Sequence, residues 1–196
     1  VFTEVEKYRK QGTLITSNTS GIPIHLMAEG RSDDFKKHFC GTHFFNPPRY
    51  MPLIELIPSS KTERAVLTAL ETFLVSGLGK SVIEAKDTPN FVANRIGVFS
   101  MMAVLEYAEK FNIPFEVVDQ LTGKNLGRAK SATFRTADVV GLDTFVHVVE
   151  TMMAKCKDGF EDSYLIPEWL DKLIKAGALG QKTKAGIFRK DKDGIK

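Results

Sequence analysis

The chain has 196 residues, of which 43% are hydrophobic and 26% charged, a composition typical of a globular protein with one good core or two small ones. Its net charge of +3 is too weak to favour a nucleic-acid-binding protein, although it is compatible with a ligand that carries phosphate. No apolar run is long enough to span a bilayer and no signal peptide is visible, so we expect no membrane span. The two cysteines lack metal-ligand spacing, which favours reduced thiols in a cytoplasmic protein.

The first residues resemble the middle of an amphipathic helix, with Phe2 and Val5 on one face, and Gly12 is predicted to end it. A helix without a beginning, followed at once by a strand over residues 13–16, indicates that the natural chain extends upstream. Removal of the initiator Met and a few residues is the alternative.

Strands and helices alternate up to residue 87. A helix is predicted to begin near Ser20, strands over residues 39–45 and 52–58, a helix over 61–77 and a strand over 80–87. This alternation predicts an α/β domain over residues 1–87.

The rest of the chain, residues 88–196, reads as mostly helical after a break at residues 87–89. Helices are predicted over residues 91–111, 114–122, 133–143, 144–155 and 167–177, and the tail, residues 189–196, is expected to be frayed. The longest helix is predicted to bury a stripe of Val92, Ile96, Phe99 and Ala103.

The strands over residues 39–45 and 52–58 carry a histidine and a glutamate inside apolar runs. Their connection is too short for a parallel crossover, which takes about a dozen residues or more, so the strands should pair in antiparallel fashion. His43 and Glu55 are equidistant from Arg49, the midpoint of the connection. This symmetry predicts that the two side chains face each other and make contact.

A histidine held by a carboxylate can act as a general base near pH 7, because the carboxylate fixes the tautomer and stabilises the imidazolium. A core histidine satisfied by a neighbouring acid for structural reasons is the alternative, and spacing alone leaves both open.

Three other polar features accompany this pair, each with a structural alternative. Asn46 begins an Asn–Pro step that also suits a turn. Residues 17–20 (S-N-T-S) follow a strand, where ligands of α/β sheets usually bind, but Ser20 could simply cap a helix. Asn94 lies beside Phe91 near the domain junction, where its amide could hold a substrate oxygen, although a lone helical asparagine is usually exposed.

Charged groups in the helical part are best explained as surface features. His147 and Glu150 suit a surface pair on a helix. The basic segment of Lys124, Arg128, Lys130 and Arg135 suits a solvated face, with contact to a ligand phosphate as the alternative. No glycine-rich dinucleotide motif, P-loop or Cys/His metal cluster is present in the sequence.

Four motifs in one order resemble the 3-hydroxyacyl-CoA dehydrogenases of fatty-acid β-oxidation: "SNTSGIPI", "GTHFFNPPRYMPLIEL", "KDTPNFVANRIG" and "DVVGLDTF". The likeness runs from about residue 1 to Phe188. It implies that residues 1–87 are the second part of an NAD-binding Rossmann domain, including the antiparallel strand pair. Residues 88–196 would be a helical domain for substrate binding and dimerisation.

The resemblance also implies roles for individual residues. His43 matches the catalytic base and Glu55 its orienting partner. Ser20 and Asn94 match residues that bind substrate near the reacting oxygen, and Ser20 and Asn46 match positions that touch NAD. The implied partners are an acyl-CoA substrate and either a second copy in a homodimer or the other parts of a larger multifunctional chain.

The implied reaction is the oxidation of L-3-hydroxyacyl-CoA to 3-ketoacyl-CoA with NAD. Because the glycine-rich part of the NAD domain is expected upstream, this chain alone should be a weakly active or inactive fragment. Two other readings stay open: a related NAD-dependent dehydrogenase of hydroxy acids without CoA, and a non-catalytic assembly module. Two departures from the family pattern are Asn90, where glycine is frequent, and the segment "GRAKSATF", which leaves the acyl-chain preference open.

Overall fold

Four strands of the first half form one sheet in the order β1-β2-β3-β4: β1 (Ile15–Ser17), β2 (Phe39–Phe44), β3 (Leu53–Pro58) and β4 (Ser81–Glu84). The computed structural model describes residues 1–157, 159–191, 194 and 195, and its chain divides into two units, Val1–Asn94 and Arg95–Lys196. β2 and β3 are antiparallel, and the β1–β2 and β3–β4 pairs are parallel. The α/β class and the antiparallel pair are therefore confirmed.

The helices of the first unit are α1 (Phe2–Tyr8), α2 (Ile24–Met27), α3 (Asp33–Lys37) and α4 (Arg64–Thr72), and α4 continues as a π-helical turn over Phe73–Gly77. Because side chains alternate across a strand, β2 and β3 bury one apolar set on each face of the sheet. Ile54 and Leu56 pack with leucines of α4 on one face, and Phe39 and Ile57 pack with α2 and α3 on the other. Both faces are thus covered, as in other partly parallel sheets.

α2 approaches the sheet at a glycine. A Cβ added to Gly41 would lie 2.8 Å from Ile24 Cδ1 and 3.1 Å from Ile57 Cβ, so a larger residue would push α2 away. This close approach belongs to the face that also carries His43 and Glu55, because positions 41, 43, 55 and 57 share one side of the strand pair.

Two helix predictions for this unit are wrong in detail. The helix expected near Ser20 begins only at Ile24, with Pro23 as its N-cap. The Asp87 carboxylate accepts the first N–H groups of this helix, those of Ile24 at 2.7 Å and His25 at 2.8 Å, and so sets where it begins. The first helix ends at Tyr8, before Gly12, which instead adopts φ +77 in a turn.

The second unit is helical, as expected. Its described helices are α5 (Ala93–Lys110), whose first residues belong to the first unit, α6 (Phe115–Thr122), α7 (Phe134–Val140), α8 (Leu142–Lys155) and α9 (Glu168–Lys175). The core of this unit is formed by α5 and α8 with α9, around Met102, Val149 and Leu170. No helix in the part of the chain that the structure describes is long and apolar enough to cross a membrane.

The predicted stripe of the long helix is wrong. α5 buries Val98, Met102 and Leu105, whereas Ile96 is 64% exposed. Both sides of this helix are apolar, so a period of 3.6 residues fits either side. The tail was also expected to be frayed, but its short strands β5 (Lys190–Asp191) and β6 (Gly194–Ile195) pair, while residues 192, 193 and 196 lie outside the described residues.

Candidate active site

The register of β2 and β3 places His43 directly opposite Glu55. His43 Nδ1 makes a hydrogen bond of 2.6 Å with Glu55 Oε2. Both residues are buried, since His43 is 4% exposed and Glu55 is 0% exposed. The predicted contact is confirmed. Since Nδ1 is engaged by the carboxylate, Nε2 is the ring nitrogen that can exchange a proton with another group.

The second oxygen of Glu55 is held by main-chain groups. Oε1 accepts hydrogen bonds from the N–H groups of Val92 and Ala93, each at 2.8 Å, at the start of α5. Burial opposes ionisation, but the hydrogen bonds from His43 and from these N–H groups outweigh it and lower the pKa of Glu55. The site therefore contains a fixed negative charge on Glu55, next to the imidazole ring of His43.

Two consecutive residues with left-handed backbone conformation aim these N–H groups at Glu55. Asn90 has φ +61 and Phe91 has φ +50, in the break that precedes α5. The buried Phe91 ring also lies against the His43 ring, with centroids 5.7 Å apart, and Phe45 contacts the same imidazole at 4.6 Å. This turn thus fixes both members of the pair, one through its main chain and one through an aromatic ring.

The loop after β1 meets the same region. Asn94 Nδ2 donates to the main-chain oxygen of Ser20 at 3.2 Å, so the structure brings together the two residues expected to bind substrate. Asn18 Oδ1 accepts the N–H of Phe44 at 2.9 Å and ties the end of β1 to the end of β2. The polar loop therefore lies at the carboxyl ends of two parallel strands, where α/β sheets usually bind ligands.

Asn46 is exposed in the connection between β2 and β3, three residues after His43. Lys80 holds this connection: its Nζ donates to the main-chain oxygens of Pro48 and Met51, the latter at 2.8 Å. The structure describes no hydrogen bond of the Asn46 side chain, and its amide is available to a ligand.

The surface residues of the helical unit agree with their structural reading. His147 and Glu150 are exposed on α8, and Lys124, Arg128, Lys130 and Arg135 are all exposed. The sequence did not indicate the roles of Phe91, Lys80 and the N–H groups of Val92 and Ala93. The only available hint was the break "DTPNF", because main-chain donors leave no trace in a pattern of side chains.

Comparison with known proteins covers nearly the whole chain. A family model described as 3-hydroxyacyl-CoA dehydrogenase, NAD binding domain, matches residues 1–88, and one described as 3-hydroxyacyl-CoA dehydrogenase, C-terminal domain, matches residues 91–190. A probable 3-hydroxyacyl-CoA dehydrogenase of Bacillus subtilis is 46% identical over 97% of this chain and 24% of its own length. A protein of the same description from Deinococcus radiodurans is 46% identical over 97% of this chain and 54% of its own length.

A solved structure has the same fold. The (S)-3-hydroxybutyryl-CoA dehydrogenase PaaH1 from Ralstonia eutropha superimposes with a TM-score of 0.81 at 29% identity, over 95% of this chain and 63% of that one. The chain thus spans less than two thirds of each of these three proteins.

Proposed function

We propose, from the premise that the chain belongs to the 3-hydroxyacyl-CoA dehydrogenase family, that the protein which carries it oxidises L-3-hydroxyacyl-CoA to 3-ketoacyl-CoA with NAD in fatty-acid β-oxidation. The observation that supports this most is the buried hydrogen bond of 2.6 Å between His43 and Glu55. A structural pair would also be buried, but here the pair adjoins the polar loop of Ser20 and the amide of Asn94.

In this proposal His43 is the general base. Nε2 takes the proton of the substrate hydroxyl group while the bond between C3 and its hydrogen breaks. Glu55 keeps the proton of the neutral ring on Nδ1 and stabilises the imidazolium that forms. The reverse reaction returns the same proton to the ketone oxygen.

Ser20 and Asn94 are proposed to orient the oxygen at C3. The Asn94 amide and the Ser20 hydroxyl group can both donate hydrogen bonds to that oxygen. The hydrogen bond of 3.2 Å from Asn94 Nδ2 to the main-chain oxygen of Ser20 holds the two residues next to each other. Correct orientation of reacting groups raises the rate without new bonding to the transition state.

The residues present fit the nicotinamide half of NAD. Ser20 and Asn46 supply hydroxyl and amide groups near the carboxyl ends of β1 and β2, and both are exposed. Groups of this kind can bind a carboxamide. When bound, the nicotinamide ring supplies the acceptor of the hydride.

The domain boundary and the assembly are part of the same proposal. We place the boundary at residues 87–89, after the NAD-binding part. The low coverage of the Bacillus subtilis relative supports a larger chain around this one. The alternative assembly is a homodimer formed by the helical part. A cytoplasmic location is consistent with the absence of a disulfide among the described residues.

The test is the replacement of His43 by glutamine in the full-length enzyme. Turnover with L-3-hydroxybutyryl-CoA should fall by about three orders of magnitude or more, while the dissociation constants of NAD and acetoacetyl-CoA stay within about threefold. His147→Gln is the matched control, because His147 is an exposed histidine on α8, and it should leave turnover unchanged. Near-normal turnover of His43→Gln would contradict the proposal.

A comparison of substrates separates this proposal from the alternative of an NAD-dependent dehydrogenase that acts on hydroxy acids without CoA. Turnover of 3-hydroxyacyl-CoA should exceed that of free hydroxy acids by a wide margin at equal concentration. Equal or higher turnover of a free hydroxy acid would assign the protein to a dehydrogenase that acts without CoA. The absence of turnover with either substrate would favour an assembly module.

A further inference from the structure

One carboxylate holds the start of α2 to the segment that precedes α5. Asp87 Oδ1 accepts the N–H of Ile24 at 2.7 Å, and Asp87 Oδ2 accepts the N–H of His25 at 2.8 Å. The Nδ1 atom of the His25 ring lies 2.6 Å from the same Oδ2. The Asp87 side chain is only 12% exposed, so these hydrogen bonds are well shielded from water. Asp87 thus satisfies main-chain donors that have no partner within their own helix.

The loop that runs into α2 carries Ser20 and is anchored at both ends. At one end, Asn18 Oδ1 accepts the N–H of Phe44 at 2.9 Å, where β2 ends. At the other end, the loop meets the helix start that Asp87 holds. Residues 19–23 therefore connect two fixed points, and the position of Ser20 depends on both of them.

Two further contacts join this loop to the segment of residues 87–94. Asn94 Nδ2 donates to the main-chain oxygen of Ser20 at 3.2 Å. A Cβ added to Gly21 would lie 3.0 Å from Asn90 Oδ1, so the loop packs closely against Asn90. The carboxylate at one end of the segment and the amide at the other thus hold the loop on either side of Ser20.

The same segment also holds the buried pair of the proposed active site. The N–H groups of residues 92 and 93 bind Glu55 Oε1, each at 2.8 Å, and Glu55 in turn contacts His43. A short stretch of main chain therefore contacts both the base and the loop of Ser20. The hydrogen bonds of Asp87 link these two parts of the site.

We propose that Asp87 is a positioning residue of the dehydrogenase reaction and acts through the loop of Ser20. Its carboxylate fixes the start of α2 and thereby sets where the Ser20 hydroxyl group lies relative to His43 Nε2. This inference rests on the proposed function, because both groups act on the same substrate oxygen. A displacement of about 1 Å in an orienting group can cost about a hundredfold in rate.

A carboxylate that only stabilises α2 would make the same contacts, but the two roles differ in one measurable respect. If Asp87 acts through Ser20, its replacement should matter only while the Ser20 hydroxyl group is present. If Asp87 only stabilises the fold, its replacement should have the same effect with or without that hydroxyl group. A double-mutant cycle between the two positions measures this difference.

The experiment compares kcat for L-3-hydroxybutyryl-CoA in the full-length wild type, Asp87→Asn, Ser20→Ala and the double variant. Asparagine places an NH₂ group where one oxygen stood, so at least one N–H at the start of α2 loses its acceptor. Asp87→Asn should lower kcat by about tenfold or more in the presence of Ser20, and by less than about threefold in the Ser20→Ala background. The KM for NAD should stay within about threefold of the wild-type value.

Asp119→Asn is the matched control, because Asp119 also binds main-chain donors at the start of a helix. It accepts the N–H groups of residues 133–135, where α7 begins, at 2.7 to 3.0 Å. Its replacement should lower the melting temperature as that of Asp87 does. Any change that it makes in kcat should be equal in the wild-type and Ser20→Ala backgrounds.

An unchanged kcat in Asp87→Asn would overturn the positioning role, and so would an equal fall in kcat with and without the Ser20 hydroxyl group. In both cases the wild type still oxidises its substrate, so the dehydrogenase proposal stands. A wild type without turnover would overturn the proposed function and this inference with it. If Asp87→Asn does not fold, Asp87→Glu gives the same test, because it keeps the charge and displaces the carboxylate by one methylene group.

Discussion

Replacement of Glu55 by glutamine in the full-length enzyme tests whether the Glu55 carboxylate supports His43 as the general base, and it hardly changes the volume of the side chain. The amide oxygen of glutamine can still accept the N–H groups of Val92 and Ala93, so these contacts are kept. The amide NH₂ then faces His43 Nδ1, which must become an acceptor. The ring proton is therefore forced onto Nε2, the nitrogen that should take the substrate proton.

The size of the effect follows from the geometry. His43 Nδ1 and Glu55 Oε2 are 2.6 Å apart, which places the charge centres of an imidazolium and a carboxylate at about 4 Å. At the effective dielectric constant of about 20 that suits protein sites, this interaction is worth about 4 kcal/mol. Loss of it lowers kcat by about a thousandfold, and the wrong tautomer adds to that loss.

The assay is steady-state oxidation of L-3-hydroxybutyryl-CoA, followed as NADH absorbance. Affinities for NAD and acetoacetyl-CoA should change little, because glutamine keeps the shape of the site, and the melting temperature should fall by only a few degrees. Glu150→Gln, on the exposed face of α8, is the control. A Glu55→Gln enzyme with more than about a tenth of wild-type kcat would refute the assignment of Glu55 as the partner of the base.

Three further predictions concern stability and the connection between β2 and β3. The pKa of Glu55 is lower in the folded chain than its ordinary value of 4.5, so its contribution to stability is complete above pH 4.5 and is lost as pH falls through the folded pKa. The free energy of unfolding in urea should therefore fall less steeply at acid pH in Glu55→Gln than in the wild type. Identical plots of this free energy against pH would contradict the prediction. Gly180→Ala should lower the melting temperature by roughly 5 °C or more, because its Cβ would lie 2.3 Å from the Asp138 main-chain oxygen and its backbone has φ +100. Gly97→Ala is the control, since a Cβ at Gly97 would meet open space, and it should not lower the melting temperature. Equal melting temperatures of the two variants would contradict this. Lys80→Met should raise the KM for NAD several-fold with little change in kcat, because Lys80 holds the connection between β2 and β3 that carries Asn46. Lys80→Arg should have a KM close to that of the wild type. An unchanged KM in Lys80→Met would show that this connection does not contribute to NAD binding.

The strand pair could be predicted because its constraints are local. The connection between the strands is short, and His43 and Glu55 are symmetric about its midpoint, so the antiparallel register follows from chain geometry. The sequence also placed Ser20 and Asn94 in one site, but only through the family resemblance. Nothing in the residues around them specifies the contact of 3.2 Å.

Other features depend on tertiary packing and had no sequence pattern. α5 is apolar on more than one side, so the sequence could not show which side is buried. In the structure Ile96 is exposed and Met102 is buried. The helix after β1 starts late because the distant Asp87 supplies its cap, which no local motif indicates. The donors to Glu55 are main-chain groups whose direction is set by the left-handed turn at Asn90 and Phe91.

The most direct test of the central claim is nitrogen-15 NMR of the His43 side chain at neutral pH, assigned by the signal that disappears in His43→Gln. The neutral form of the ring is predicted to carry its proton on Nδ1 and to leave Nε2 unprotonated, because Glu55 accepts the Nδ1 proton. A ring that carries its proton on Nε2 could not accept a proton from the substrate hydroxyl group and would contradict the assignment of this pair as the base.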